Sequence, residues 1–246
     1  LRGLPATYVE EADEAQTLKI TLSDKVTKLK LILSYTVYKE RNVITRAAKF
    51  INQGSEDINL ERAFSASLDF NSSDFELLQL SGAWSRERHI KRRPLEQGIQ
   101  SIESTRGASS PYQNPFLALV DENTTEEQGE VYGFSLVYSG NFLGQVQVNH
   151  FEQTRVNLGI NPFDFNWLLE PGEEFQTPEV VMVYSKHGIN QMSQTYHRLY
   201  RERLARGKYR DQPRPVLVNN WEATYFDFNE DKLLDLAETA SQLGIE

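Results

Sequence analysis

The sequence predicts a mainly β protein: a large antiparallel β-sandwich, then a linker helix and the first β/α unit of a (β/α)8 TIM barrel. Three observations carry this. Apolar and polar residues alternate at a period of two from Thr17 to about Ser185, and no helical stretch interrupts them. At Gly188 the period changes to that of a helix. Near the C-terminus an apolar run of strand length, a polar break and an amphipathic stretch follow one another, which is the order of one strand, loop and helix unit. The expected organisation is a sandwich domain over 1–187, a linker helix and hinge over 188–214, and the start of a barrel over 215–246.

In chain order, Leu18, Ile20 and Leu22 alternate with polar residues, and Leu29, Leu31, Leu33, Tyr35 and Val37 do so again. Ile58, Leu60, Phe64, Ala66, Leu68 and Phe70 then share one parity. Such alternation marks antiparallel strands with one face on a core. Phe116 to Val120, Val131 to Tyr138, Gly144 to Asn149 and Val180 to Tyr184 continue the pattern. Turn signals bound them at Ser139-Gly140-Asn141, Asn161-Pro162 and Glu170-Pro171-Gly172. Ile189, Met192, Tyr196, Leu199 and Leu204 fall at helical spacing, predicting a helix over 189–206 that stops at Gly207. A polar hinge over 208–214 contains Pro213. Val216 to Val218 reads as a strand broken by Asn219-Asn220. A second helix is expected from about Glu230, capped by Asn229, with Leu233, Leu236, Ala237, Ala240 and Leu243 inward and Gly244 as its stop. The chain opens on Leu1, and Gly244-Ile245-Glu246 reads as the start of a further element, so both ends are expected to be cut.

Composition narrows the function classes. At 246 residues, 39% apolar and 25% charged, this is an ordinary globular chain with ample length for a core. A net charge of -9 argues against a nucleic-acid partner, because a phosphate backbone rewards basic surfaces. The absence of cysteine excludes disulfides and thiolate chemistry and fits a reducing, cytoplasmic location. The four histidines, at 89, 150, 187 and 197, include no HxxxH or HExxH pair, so neither a metal nor a cofactor is expected. No run of eighteen apolar residues is present, and no membrane partner is expected.

Three segments have side chains suited to chemistry. In the first, Trp221 lies with Asn219, Asn220 and Glu222 where a barrel strand would end, the end at which barrels build their active sites. An indole face stacks on the apolar C–H face of a sugar and neighbouring amides bond its hydroxyls; the other reading is that Trp221 caps a barrel core. Glu222 and Asp227 are too close in one loop to flank a glycosidic bond and read as structural. The second is the loop Ser104 to Phe116, whose small hydroxyl residues beside Gly107 suit either an anion or sugar site or their own tight turns; it lacks Walker spacing and reads as structural. The third, Arg86 to Arg93, is the one basic cluster, expected as a solvated loop or a salt-bridged subunit contact, and Trp84 before it reads as an exposed aromatic or, the commoner outcome, a core anchor. Trp167 in its aromatic segment is open to groove or packing roles. His150 and Asp164 have no evident partner.

These segments resemble the α-galactosidases of glycoside hydrolase family 36. Ser104 to Phe116 is similar to the family's S-x-R-G-x-S-S-H-Q-x-N-P-F motif, Gly129 to Phe142 to a sandwich strand pair, and Pro215 to Phe228 to the first barrel strand. Pro111-Tyr112 stands where many members have His, so no role of that His carries over. The resemblance covers essentially the whole chain. It implies an N-terminal supersandwich ahead of a catalytic barrel, and hydrolysis that retains anomeric configuration through two Asp residues. Both are expected beyond Glu246, so no catalytic residue is assigned and the chain alone is expected to be inactive. Trp221 is the substrate-binding residue the resemblance implies, lining a galactose subsite. The implied partners are a galactoside such as melibiose or raffinose and further copies of the chain in a homo-oligomer, the family often forming tetramers. The alternatives are a stand-alone carbohydrate-binding sandwich and a structural assembly domain.

Overall fold

The alternating residues pair as their period requires. A computed structural model of the chain describes residues 4–109 and 111–245; Leu1, Ser110 and Glu246, which figure in the readings above, lie outside the described residues. The strands are β1 (Ala15–Ser23), β2 (Leu29–Tyr38), β3 (Val43–Asn52), β4 (Ile58–Leu60), β5 (Phe64–Phe70), β6 (Glu76–Ala83), β7 (Arg86–Pro94) and β8 (Gly98–Glu103). They continue as β9 (Gln113–Val120), β10 (Val131–Val137), β11 (Phe142–Val148), β12 (Thr154–Ile160), β13 (Trp167–Leu169), β14 (Glu174–Gln176) and β15 (Glu179–Ser185). The helices are α1 (Gly188–Arg203), α2 (Trp221–Thr224) and α3 (Glu230–Gln242).

A nine-stranded sheet runs β1-β2-β3-β15-β10-β9-β6-β7, with β14 also pairing β3; a three-stranded sheet runs β11-β12-β5, and β13 pairs β4. Strands β3, β6 and β12 lack the clean alternation that announces the others. Over Val43 to Ala48 only Ile44 is exposed, because the middle of the large sheet is covered on both faces. Leu117, Leu119, Phe134, Leu136 and Val180 pack with Phe142, Val146, Val156 and Leu158 of the small sheet. Residues of opposite parity, Ala118, Val120, Val131, Val181 and Val183, pack against Met192, Tyr196 and Leu199 of α1. The sandwich is thus three layers deep where α1 lies on it.

Helix α1 sits close to β10 because position 133 is glycine: a Cβ there would meet Met192 Sδ at 2.7 Å and Tyr196 Oη at 3.0 Å. Its first N–H groups donate outside the helix, Ile189 to the Thr125 carbonyl at 3.1 Å and Asn190 to that of Glu126 at 2.9 Å. The helix ends at Arg203, short of the expected Arg206. There the Arg203 carbonyl accepts from Tyr8 N–H at 3.0 Å, and its guanidinium is held by Glu14 and by Glu10 at 3.1 Å, so the last turn is closed by the N-terminal segment. Gly207 does take a left-handed φ of 78°, but past the helix.

The chain divides into two compact units between Leu204 and Ala205. In the second, residues 213–220 carry neither helix nor strand, so the segment expected to open a barrel is present without a ladder partner among the described residues. Helix α3 follows as expected: Asn229 Oδ1 accepts from Lys232 N–H at 3.0 Å. At its other end Gly244, with φ 79°, and Ile245 donate to the Ser241 and Ala240 carbonyls, the Schellman arrangement. The face expected to be buried is largely not: Leu233 and Leu243 are exposed, Leu236 is half-buried and Ala240 alone on that face is buried. Few residues of this unit lie over it.

Candidate functional site

Trp221 opens the one-turn helix α2 directly after the unpaired segment. Asn219 Oδ1 accepts from the Trp221 N–H at 2.8 Å, which turns the chain at the polar break read from the sequence. Asn220 Nδ2 donates to Thr224 Oγ1 at 2.9 Å and closes the turn from the other side. The indole meets Tyr225 at 5.5 Å and Phe226 at 4.8 Å between ring centroids, both edge-on, and remains 44% exposed. Edge contacts steady a ring while leaving stacking area free, so this indole is built as an exposed platform within its unit. Glu222 and Asp227 have separate structural tasks. Tyr225 Oη lies 3.5 Å from Glu222 Oε2, and Lys232 Nζ pairs with Asp227 Oδ2 at 2.8 Å.

Residues 104–109 form a loop bonded to its own surroundings, and β9 begins at Gln113. Ser104 Oγ donates to the Ala108 carbonyl at 2.6 Å, Gly107 N–H to Asn141 Oδ1 at 2.7 Å, and Ser109 N–H to the Ser139 carbonyl at 2.7 Å. Asn161, buried, donates to the Ser104 and Phe142 carbonyls at 3.2 Å, which ties the turn at Asn161-Pro162 to the same end of the sandwich. The Arg106 guanidinium lies 4.4 Å over the Tyr112 ring, within the Pro111-Tyr112 pair that stands where many family members have His. Ser104, Gly107 and Ser109 are therefore engaged in hydrogen bonds at this end of the sandwich, as the structural reading expected.

The basic cluster is not a loop. Arg86–Pro94 is strand β7, the outer strand of the large sheet, paired to β6. Its alternation was masked because the exposed strand carries charge on both faces. Arg92 is its structural member, with Nε on Glu76 at 2.7 Å and Nη1 and Nη2 on the carbonyls of Thr124 and Asp121. Trp84 is not a core anchor: it is 82% exposed, because Trp84-Ser85 is the two-residue turn joining β6 to β7, with Ser85 at φ 62°. Trp167 is 41% exposed on β13 and lies 5.1 Å from Phe175. The His150 ring lies tilted against Phe151, with centroids 3.9 Å apart, and Asp164 has a left-handed φ of 52°.

One feature escaped the sequence. Tyr132 Oη and Tyr184 Oη donate to the two oxygens of Glu130, at 3.0 Å and 2.8 Å, beside an open groove of about 740 Å³ lined also by Phe70 and Met182. Burial, then the hydrogen bond to Glu130, pushes the Tyr132 phenol up to about 12. The alternation of Tyr132 with Phe134, and of Met182 with Tyr184, was the available signal. Among the described residues no group of acidic or imidazole side chains is arranged to hold a metal, and no helix is long and apolar enough to cross a membrane.

Against known proteins, the model of the glycosyl hydrolase family 36 N-terminal domain matches residues 1–170 and that of melibiase matches residues 174–246. The chain is 63% identical over 246 residues to the α-galactosidase AgaA of Geobacillus stearothermophilus and 53% identical to the α-galactosidase Mel36A of Lactobacillus acidophilus. Each comparison covers all of this chain and 34% of the relative, so the chain spans about a third of the length of these curated relatives. The crystal structure of AgaA superposes with a TM-score of 0.93, covering 100% of this chain and 34% of AgaA, and one AgaA variant was solved in complex with raffinose. A sandwich of this topology, an exposed tryptophan after an extended segment, and a family match over most of its length lead to one statement: the chain belongs to glycosyl hydrolase family 36.

Proposed function

We propose that this chain supplies the N-terminal sandwich and barrel entry of a retaining α-galactosidase that hydrolyses terminal α-galactosyl residues of oligosaccharides such as melibiose or raffinose. In this reading residues 1–187 are the sandwich, 188–214 the linker helix and hinge, and 215–246 the start of the catalytic barrel. The chain itself contributes domain packing, oligomer assembly and, through Trp221, one stacking wall of the sugar pocket. The catalytic carboxylates belong to the remaining two thirds, and a cytoplasmic location goes with the cysteine-free sequence. The supporting observation is identity of 63% to AgaA sustained over every residue of this chain. At the site, the edge-held, half-exposed indole of Trp221 supports the stacking role.

The test is a chimera in which this chain replaces the matching third of AgaA. Hydrolysis of an aryl α-galactoside is the expected result; a folded, inactive chimera overturns the reading. In the active chimera Trp221→Ala raises KM roughly ten-fold, as loss of a stacking contact worth about 1.4 kcal/mol would. The chain alone is expected to give no turnover and no saturable heat with raffinose. Saturable heat would favour a stand-alone carbohydrate-binding module.

A further inference from the structure

The turn that carries Trp221 is not one that its backbone holds unaided. Helix α2 is a single turn of four residues, and one turn fixes more dihedral angles than its few hydrogen bonds repay. The segment before it gives no support from a ladder, since residues 213–220 carry neither helix nor strand. The residue after it, Tyr225, stands at φ 47° and ψ -119°, outside the regions an L side chain adopts readily, and such strain persists only where the surroundings over-determine it. What opposes these costs is local. Tyr225 N–H donates to the Trp221 carbonyl at 2.8 Å. Asn220 and Thr224 are joined by three hydrogen bonds: Thr224 N–H and Oγ1 donate to the Asn220 carbonyl at 3.0 Å and 3.1 Å, and Asn220 Nδ2 donates to Thr224 Oγ1 at 2.9 Å. The start of the turn has less. Asn220, in the usual capping position, already has helical backbone angles and makes no capping bond. The Trp221 N–H is held instead by one side chain a residue earlier, through Asn219 Oδ1 at 2.8 Å.

We infer that Asn219 is a positioning residue for the sugar-stacking indole: its carboxamide oxygen fixes the backbone of Trp221 and, through it, the plane the ring offers to a galactoside. The inference rests on the stacking role proposed above for Trp221 and adds the group that sets the direction of the ring. The two edge contacts on the indole come from Tyr225 and Phe226, beyond the far end of the same turn. They fix the ring relative to the turn, whereas the bond from Trp221 N–H to Asn219 fixes the turn relative to the segment that leads into it. Without that bond the single turn frays from its first residue, and the indole and its two braces swing together. A sugar must then order an aromatic side chain that was ordered before, which costs about two- to twelve-fold in affinity. Asn219 is itself exposed within its unit, so truncating it opens no cavity there and its effect travels through the hydrogen bond.

Two measurements test it. In the full chain, NMR relaxation of the Trp221 indole N–H, assigned by its absence from Trp221→Ala, is expected to show a loss of order in Asn219→Ala and none in Asn219→Asp, which keeps the accepting oxygen. Equal order in all three proteins overturns the positioning role and leaves the stacking reading standing. In the active chimera with AgaA, Asn219→Ala is expected to raise KM for an aryl α-galactoside about five-fold with kcat unchanged, and Asn219→Asp to restore it. Added to Trp221→Ala, Asn219→Ala is expected to raise KM no further, since a residue that acts through the indole has nothing to act on once the indole is gone. Unchanged circular dichroism shows that each variant is folded. An effect of Asn219→Ala that persists in full without Trp221, or that Asn219→Asp does not rescue, overturns the positioning role alone. A KM indifferent to Trp221→Ala overturns the stacking reading and this inference with it.

Discussion

Arg203 and Glu14 stand 189 positions apart in the sequence and meet as an ion pair, with Arg203 Nε donating to Glu14 Oε2 at 2.7 Å. The contact closes the end of α1 with the segment that precedes β1. The Arg203 hydrogen bond holds the Glu14 carboxyl at about 2, against an ordinary value of 4.5. A carboxyl lowered on folding contributes stability that is fully present above its unfolded value and is lost as pH falls through its folded one. The melting temperature is therefore expected to drop between about pH 4.5 and pH 2, and Glu14→Gln to flatten that part of the profile. A calorimetric pH series on both proteins checks it.

Gly133 sets the distance between α1 and the sheet. Gly133→Val adds three carbons where the first would already lie 2.7 Å from Met192 Sδ, and overpacking of this kind costs about 1–3 kcal/mol. Urea denaturation is expected to show a lower midpoint. Gly144→Val makes a companion, since its Cβ meets Leu117 Cδ2 at 2.9 Å in the other core layer.

Tyr196 is buried, and its hydroxyl donates to the Val181 carbonyl at 3.1 Å while its ring meets Phe116 edge-on at 5.8 Å. Tyr196→Phe keeps the ring contact and removes the bond, for an expected loss of about 1 kcal/mol. Tyr196→Ala removes both and is expected to cost about 3–5 kcal/mol, as for other large aromatics. The gap between the two, read from denaturation midpoints, separates hydrogen bonding from packing.

The backbone N–H groups of Arg214, Val216, Leu217 and Val218 have no ladder partner among the described residues, whereas those of β10 are bonded to β9 and β15 on either side. Amide exchange in the isolated chain is expected to be complete within seconds for the first group and to persist for hours or longer in the second. Strong protection at 214–218 in a monomer would show that the segment finds a partner within the same chain.

Much of this was legible in the sequence, and what was lost has physical causes. Strands beyond the cover of the small sheet announced themselves: Leu18 to Leu22 in β1 and Leu29 to Val37 in β2 alternate apolar with polar residues. Strand β3 did not, since Val43 packs in the layer with α1 while Arg46 reaches the Ser65 carbonyl of the small sheet on the other side. The caps of α3 were readable because Asn229 and Gly244 act through local geometry. Trp84 was misread because aromatic residues favour cores on average, and only the two-residue turn between β6 and β7 places it outside. Trp221 was singled out from its neighbours Asn219 and Asn220, and these do form the turn that presents it. The Glu130 arrangement with two tyrosines was not visible, because it depends on which residues of β10 and β15 come opposite one another.

Strand β15 is the last strand among the described residues, yet it lies in the middle of the large sheet, between β3 and β10. Synthesis therefore delivers the centre of the sheet after its flanks. Until residues 179–185 emerge, β3 and β10 each present an open edge, and the layer that α1 will cover has no floor. The pairing of β15 with β3 spans more than a hundred residues, so its loop-closure cost falls on the final step. The nascent sandwich is most exposed to wrong pairing just before it is complete, and a single seven-residue strand ends that interval.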